Sequence, residues 1–382
     1  MNKIKILQFP IANSKGGITN YILQNWKYID KTKFQFDFAT MSRSLDFSGE
    51  LEKQGCKIYY ISCYAEENKE KFVHEFRNIL NNQDYDIVHL HTKQWKSFLV
   101  ERIAKEIGIK KIIIHAHSAG LDVLDEKKRE EEIQVHNYTL RKLTEDIATD
   151  FWACSRDAAE FIFGNKIEKH KVMIMRNAIE LSKYAYNPKI REIYRKSLNI
   201  EDSEYIIGSV GRFVYQKNHE FLIKVLAEMS ELERKGKTGG RLYKLLLVGS
   251  GEREGEYKRL VEENNLEKKV IFVGQRVDVD NLLQAMDLFC LPSRFEGLPI
   301  SLVEAQMSGL LCIASDAITE EVNITGNVYY HQLKVENWVD QILQISEAVK
   351  ERDSMYEKMI KNGYDIKNQV KILENEYLKG FV

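Results

Sequence analysis

The segment "PSRFEGLPISLVEAQMSG", residues 292–309, carries two carboxylates, Glu296 and Glu304, with seven residues between them. Glycine and proline mark the first acid as a loop residue, and Pro299 suits the first position of a helix, where its missing N–H costs nothing. Glu304 then lies about 7 Å further along that helix at its rise of about 1.5 Å per residue. A loop acid next to the amides of Gly297 and Leu298, with a second acid deeper on the helix, can grip the two ends of an elongated oxygen-rich ligand. The separation suits a sugar joined through phosphates to a ribose.

Three further places fit such a ligand. In "GSVGRFVYQKNHEFLI" a strand runs into Arg212 and, five residues later, Lys217. A planar fork and a point charge beside a helix start form a clamp for a diphosphate. In "NSKGGITNYILQ", Gly16 and Gly17 let backbone approach a ligand where helix N–H groups favour an anion. In "IIIHAHSAG", His115 and His117 point to the same face of a strand, and "DIVHLHT" repeats the layout with His89 and His91. A four-histidine metal site is set aside because no carboxylate is patterned with it.

Two motifs point elsewhere and are discounted. "VGSGEREGEY" nears the dinucleotide fingerprint, but the next strand, "KVIFVGQR", ends in Gln275 and Arg276 where a ribose-binding acid is expected. Asp278 and Asp280 make a D-x-D pattern before an apolar helix, which reads as a helix cap and not as a metal site.

The elements that position these residues are α/β throughout. Six strand candidates in the first half ("KIKILQF", "FQFDFAT", "KIYYIS", "DIVHLHT", "KIIIHAHS", "DFWACS") alternate with helical patterns, and five follow in the second ("YIIGSVGRF", "YKLLLVGSG", "KVIFVGQ", "DLFCLPS", "LLCIAS"). That alternation predicts parallel sheets covered by helices on both faces. A chain of 382 residues fits two such domains. We expect them at 1–185 and 186–362, with a helix at 363–382 returning to the first domain, Pro188 in the linker, and a cleft between the domains.

Lys plus Arg number 56 against 57 Asp plus Glu, so no global field draws the chain to nucleic acid. The charge-rich stretch 121–131 reads as a solvated helix or loop. Cys56, Cys63, Cys154, Cys290 and Cys312 form no Cys-x-x-Cys pair, which suggests buried thiols in a reducing, cytoplasmic compartment. The start of the chain, with Lys3 and Lys5 in its apolar run, reads as a strand and not a signal peptide.

In their order and setting these motifs resemble the retaining glycosyltransferases of family 4, which have the GT-B fold. Within that family the chain is most similar to the EpsF-like enzymes of bacterial exopolysaccharide and capsule assembly. The resemblance runs over nearly the whole chain through "HAHSAG", "ACSRDAAEFIFG", "LLLVGSGE", "VIFVGQRVDV" and the Glu-x7-Glu segment. It implies a nucleotide sugar, most often a UDP-sugar, as donor, with no metal and no cofactor. Arg212 and Lys217 are implied to hold the diphosphate, Glu304 the ribose, and Glu296 with the amides of Gly297 and Leu298 the sugar. The base is implied to lie near Gln275 and Arg276, the phosphate near Gly17, and the sugar near His117, although His115 competes for that role. The implied acceptor is a glycan or lipid-diphosphate-linked oligosaccharide, with peripheral contact at the inner membrane. A nucleotide-sugar epimerase of the same fold and a non-catalytic sugar-nucleotide-binding protein are the alternative readings.

Overall fold

The computed structural model describes residues 3–13, 16–348 and 352–381. It divides into two compact units, one made of the chain up to Leu121 with Glu126–Ala178 and the C-terminal stretch from Ile366, the other of Asp122–Asp125 and Ile179–Asp365. The first unit holds seven strands: β1 (Ile4–Phe9), β2 (Phe34–Thr40), β3 (Ile58–Tyr60), β4 (Ile87–Thr92), β5 (Lys111–Ala116), β6 (Asp150–Ala153) and β7 (Val172–Ile174). The second holds six: β8 (Glu204–Val210), β9 (Leu242–Val248), β10 (Val270–Phe272), β11 (Leu288–Leu291), β12 (Leu311–Ser315) and β13 (Val328–His331).

All pairings between them are parallel. The orders are β3-β2-β1-β4-β5-β6-β7 and β10-β9-β8-β11-β12-β13. In each unit the chain therefore winds outward from one central strand to an edge and then restarts on that strand's other side. The restart leaves a crevice at the carboxyl ends of β1 and β4 in one sheet and of β8 and β11 in the other, the usual place for a ligand in an open α/β sheet.

Helices on both faces explain why the inner strands are buried on both sides; every residue of β5 is buried. In the first unit Phe34, Phe36 and Trp152 pack with Trp26 on one face, and Phe72, Phe76 and Leu90 form the core of the other. The helix Ile366–Leu378 adds Val370, Leu373 and Tyr377 to the first of these clusters. In the second unit Leu245, Leu247 and Ile313 pack with Leu226, Tyr257 and Trp338. Each fully buried side chain of this size contributes about 1.5–3 kcal/mol of transfer free energy.

Several details differ from the sequence reading. β7 and β13 were not expected: they are three- and four-residue edge strands whose apolar runs are too short to signal. Pro188 opens the helix Pro188–Ser197, capped by Asn187; the chain passes between units at 121–122, 125–126, 178–179 and 365–366. Pro299 is the residue before the helix Ile300–Met307 and not its first. Cys56, Cys154, Cys290 and Cys312 are buried and Cys63 is partly so. Among the described residues no helix is long and apolar enough to cross a membrane.

Candidate active site

At the crevice of the second sheet, the loop after β8 leads into the helix His219–Arg234 and the loop after β11 into the helix Ile300–Met307. The two loops are tied together. Arg294 N donates to Gln216 O at 2.8 Å, Gln216 Nε2 to Phe295 O at 3.1 Å, and Asn218 Nδ2 to Pro292 O at 3.1 Å. The Arg294 guanidinium reaches back to Asn218 Oδ1 and Glu220 Oε1, each at 2.8 Å.

Inside this frame Glu296 is 6% exposed and accepts three side-chain donors. Lys217 Nζ lies at 2.6 Å and Ser293 Oγ at 2.7 Å from Oε1, while Gln216 Nε2 lies at 3.1 Å from Oε2. Desolvating both charges is costly, so such a pair persists only with good geometry and further hydrogen bonds, both of which Gln216 and Ser293 help to supply. The structure thus joins two of the sequence-read residues, Lys217 and Glu296, into one cluster.

Arg212 is placed differently. Its guanidinium approaches Asp122 Oδ2 at 3.4 Å, and Gln216 N donates to Asp122 Oδ1 at 3.0 Å. Asp122 belongs to the stretch read as solvated charge; it is exposed, and it has two partners at the head of the Arg212–Lys217 loop. The near-fingerprint glycines serve this loop: a Cβ on Gly249, at φ +146°, would fall on Gly211 O, and one on Gly251 on Phe213 O. They allow the ends of β8 and β9 to touch, a packing role that accounts for the motif without a dinucleotide.

Glu304 receives the Tyr184 hydroxyl at 2.6 Å. Loss of water around the carboxyl pushes its pKa up to about 7, partly opposed by Tyr184 and Lys183. Lys183 itself pairs with Asp280 at 3.4 Å. Asp278 stands at the N-cap of its helix, as expected, but makes no side-chain capping bond; its carboxylate accepts from Arg276 at 2.8 and 2.7 Å and from the Tyr194 hydroxyl at 2.7 Å. The D-x-D acids are thus split between different cations. Gln275 and Arg276 lie exposed in the loop after β10, and Gly297 and Leu298 are buried beside Glu296.

In the first unit, Gly16 precedes and Gly17 begins the helix Gly17–Tyr28, and nothing lies within 4 Å of where a Gly17 Cβ would stand. The four histidines gather at the ends of β4 and β5. His89 Nε2 faces His115 Nδ1 at 3.2 Å, and His91 Nδ1 faces His117 Nε2 at 2.9 Å. Burial above all, then neighbouring imidazoles, holds His89, His91 and His115 neutral, and burial lowers His117 to about 3. Ring nitrogens of His89, His91 and His115 lie within 4.8 Å of one another, a set that could hold a metal ion.

Sequence reasoning missed Gln216, Ser293, Asp122 and Tyr184, and also Gln8 and Tyr377, which contact the histidines. Only position after a strand could have signalled Gln216 and Ser293; Tyr184 and Tyr377 are brought in by segments distant in sequence.

Residues 190–366 match the family described as "Glycosyl transferases group 1", and residues 16–178 match the "Glycosyl transferase 4-like domain". EpsF of Bacillus subtilis (strain 168), a protein named for glycosyl transfer, is 30% identical over 380 residues, 98% of this chain and 96% of its own. The Escherichia coli "UDP-Gal:alpha-D-GlcNAc-diphosphoundecaprenol alpha-1,3-galactosyltransferase" is 23% identical over 85% of this chain and 81% of its own. The solved structure of Anabaena Alr3699/HepE in complex with UDP and glucose has a TM-score of 0.71 at 16% identity, covering 98% of this chain and 95% of that one, a likeness of fold. With the fold, the two matched segments and a full-length relative in agreement, the chain belongs to the family 4-like, group 1 glycosyltransferases of the GT-B fold.

Proposed function

We propose that the protein transfers a hexosyl or N-acetylhexosaminyl group from a UDP-sugar to a glycan acceptor, with retention of anomeric configuration and without a metal. The observation that carries this reading is the Lys217–Glu296 cluster at the crevice of the second sheet, with Glu304 on the adjoining helix. A sugar on a nucleoside diphosphate needs cations at the phosphates and acceptors at the hydroxyls, and both lie on two neighbouring loops.

In this reading Arg212 and Lys217 stabilise the charge that develops on the departing diphosphate, the work a metal does elsewhere. Lys217 carries three N–H donors and uses one on Glu296, so the same ammonium can bridge sugar-binding acid and phosphate. Glu296, with the amides of Gly297 and Leu298, orients the sugar; Glu304 takes the ribose hydroxyls; and the base rests by the backbone near Gln275 and Arg276. From the first unit Gly16, Gly17 and His117 are the proposed contributors. The C1–O bond to phosphate breaks on the face where the acceptor oxygen bonds to C1, and the acceptor proton passes to the leaving phosphate. The name of the E. coli relative supports a lipid-diphosphate-linked acceptor.

The test is product analysis with UDP-sugars, with and without a diphosphoundecaprenol-linked acceptor, in the presence of a chelator. Acceptor-dependent release of UDP and an α-anomer by NMR are expected. Conversion of the free nucleotide sugar without acceptor would instead identify an epimerase.

A further inference from the structure

Gln8 lies on β1, in register with His89, and is 1% exposed. Its amide divides two chains of hydrogen bonds. In one, Gln8 Oε1 accepts from His91 Nε2 at 2.8 Å, and His91 Nδ1 faces His117 Nε2. In the other, Gln8 Nε2 donates to the Tyr377 hydroxyl at 3.1 Å, Tyr377 faces His89 Nδ1 at 2.7 Å, and His89 Nε2 faces His115 Nδ1. The four rings are neutral, so each has one N–H and one bare nitrogen, and fixing one bond fixes the rest of its chain.

With Oε1 toward His91, the His91 proton sits on Nε2. His91 Nδ1 is then bare and accepts from His117 Nε2–H, which leaves His117 Nδ1 bare. On the other side Tyr377, already accepting from Gln8, donates to His89 Nδ1, and His89 Nε2–H donates to His115 Nδ1. The chain ends at His115 Nε2–H, which has no hydrogen-bond partner but belongs to a ring set edge-to-face with Tyr21, with centroids 5.0 Å apart. An aromatic ring is a weak acceptor for such a donor. Turning the amide over would reverse every bond in both chains and convert His117 Nδ1 into a donor.

We propose that Gln8 is a positioning residue that acts through His91 to hold His117 as the Nε2–H tautomer, presenting Nδ1 as a neutral acceptor for a sugar hydroxyl proton. The sugar contact rests on the role proposed above for His117; the tautomer does not. A neutral acceptor of this kind favours a hydroxyl and gives no hydrogen bond to a carbonyl or phosphate oxygen. The same bonds occupy both ring nitrogens of His89 and of His91, which a metal on His89, His91 and His115 would need.

The test is the 15N spectrum of the full chain labelled at histidine, with the His117 signals assigned by their loss in His117→Gln. Wild type is expected to show Nε2 protonated and Nδ1 bare. Gln8→Met, close in volume but without an amide, is expected to show both tautomers. With roughly half the molecules competent, its affinity for a UDP-sugar falls about twofold while affinity for UDP alone is unchanged. A wild-type His117 with Nδ1 protonated, a single unaltered tautomer in Gln8→Met, or displacement of the His89, His91 and His115 signals by added Zn2+ would each overturn the proposal. The wild-type spectrum decides even where Gln8→Met does not fold. The expected tautomer in a protein that transfers no sugar would count against the proposed function alone.

Discussion

The two crevices of this molecule hold polar clusters in equivalent places but solve burial in opposite ways. At β4 and β5 four imidazoles are kept neutral and bond mainly to one another, to Gln8 and to Tyr377. At β8 and β11 an ammonium and a carboxylate remain together, closed in by Gln216 and Ser293. The first arrangement avoids the desolvation of charge; the second accepts it and keeps a cation at the place where the proposed function puts a phosphate. On the proposed function, the charged cluster is the one suited to an anionic ligand, whereas the neutral one sets direction of hydrogen bonding.

The largest expected effect follows from breaking the charged pair. Lys217→Ala or Glu296→Ala leaves its partner buried without an opposite charge, and each should cost about 3–5 kcal/mol in urea unfolding. The double variant Lys217→Met/Glu296→Leu should recover most of that stability yet stay inactive. Recovery of transfer with stability would mean that the pair serves folding alone.

Next in size is the acid response of the neutral cluster. Unfolded histidine titrates near 6.5, while the folded rings titrate lower, His117 at about 3. The unfolded chain therefore binds more protons between these values, and the first unit's stability, fully present above 6.5, should fall as pH drops from there toward 3. Trp26, Trp95 and Trp152 belong to this unit and Trp338 to the other, so tryptophan fluorescence reports chiefly on it. Acid melts insensitive to replacing the histidines would break the comparison.

Glu304 has the opposite sign. Its folded pKa, about 7, is raised above the ordinary 4.5, so its contribution to stability is present below 4.5 and is lost as pH rises through 7. Ribose binding by its ionised form should strengthen over the same rise. Tyr184→Phe removes a hydrogen bond that lowers the pKa, so the midpoint of UDP affinity should move upward, with a loss of about 1.5 kcal/mol, roughly tenfold, near neutrality. The smallest effect is expected at Arg276: its pair with Asp278 is exposed, and a base resting on backbone should leave Arg276→Ala within about 1 kcal/mol of wild type in stability and UDP affinity.

Much of this was legible in the sequence because strand ends announce themselves. Glu296, Lys217 and Glu304 stood out as charges just past apolar runs, and the parallel sheets followed from the alternation of those runs with helices. The partners were not legible. Gln216 and Ser293 carry no periodic signal, and their bonds to Glu296 exist only because β8 and β11 are neighbours although 77 residues separate the end of β8 from the start of β11. Tyr184 lay beside the expected domain boundary at 185–186, and Tyr377 reaches the histidines from a helix whose packing depends on the chain's return to the first unit. Edge strands β7 and β13 were too short to be distinguished from loops.

On the proposed function, the Lys217–Glu296 cluster and Glu304 form a metal-independent site for a nucleoside diphosphate sugar. Thermal unfolding of the full chain with UDP, GDP, ADP and their sugar conjugates, with and without a chelator, tests it most directly, because a ligand of the folded state must raise the melting temperature. A chelator-insensitive rise with UDP or a UDP-sugar, lost in Glu304→Ala, is expected. The absence of any nucleotide-dependent rise, or one that Glu304→Ala leaves intact, would contradict it.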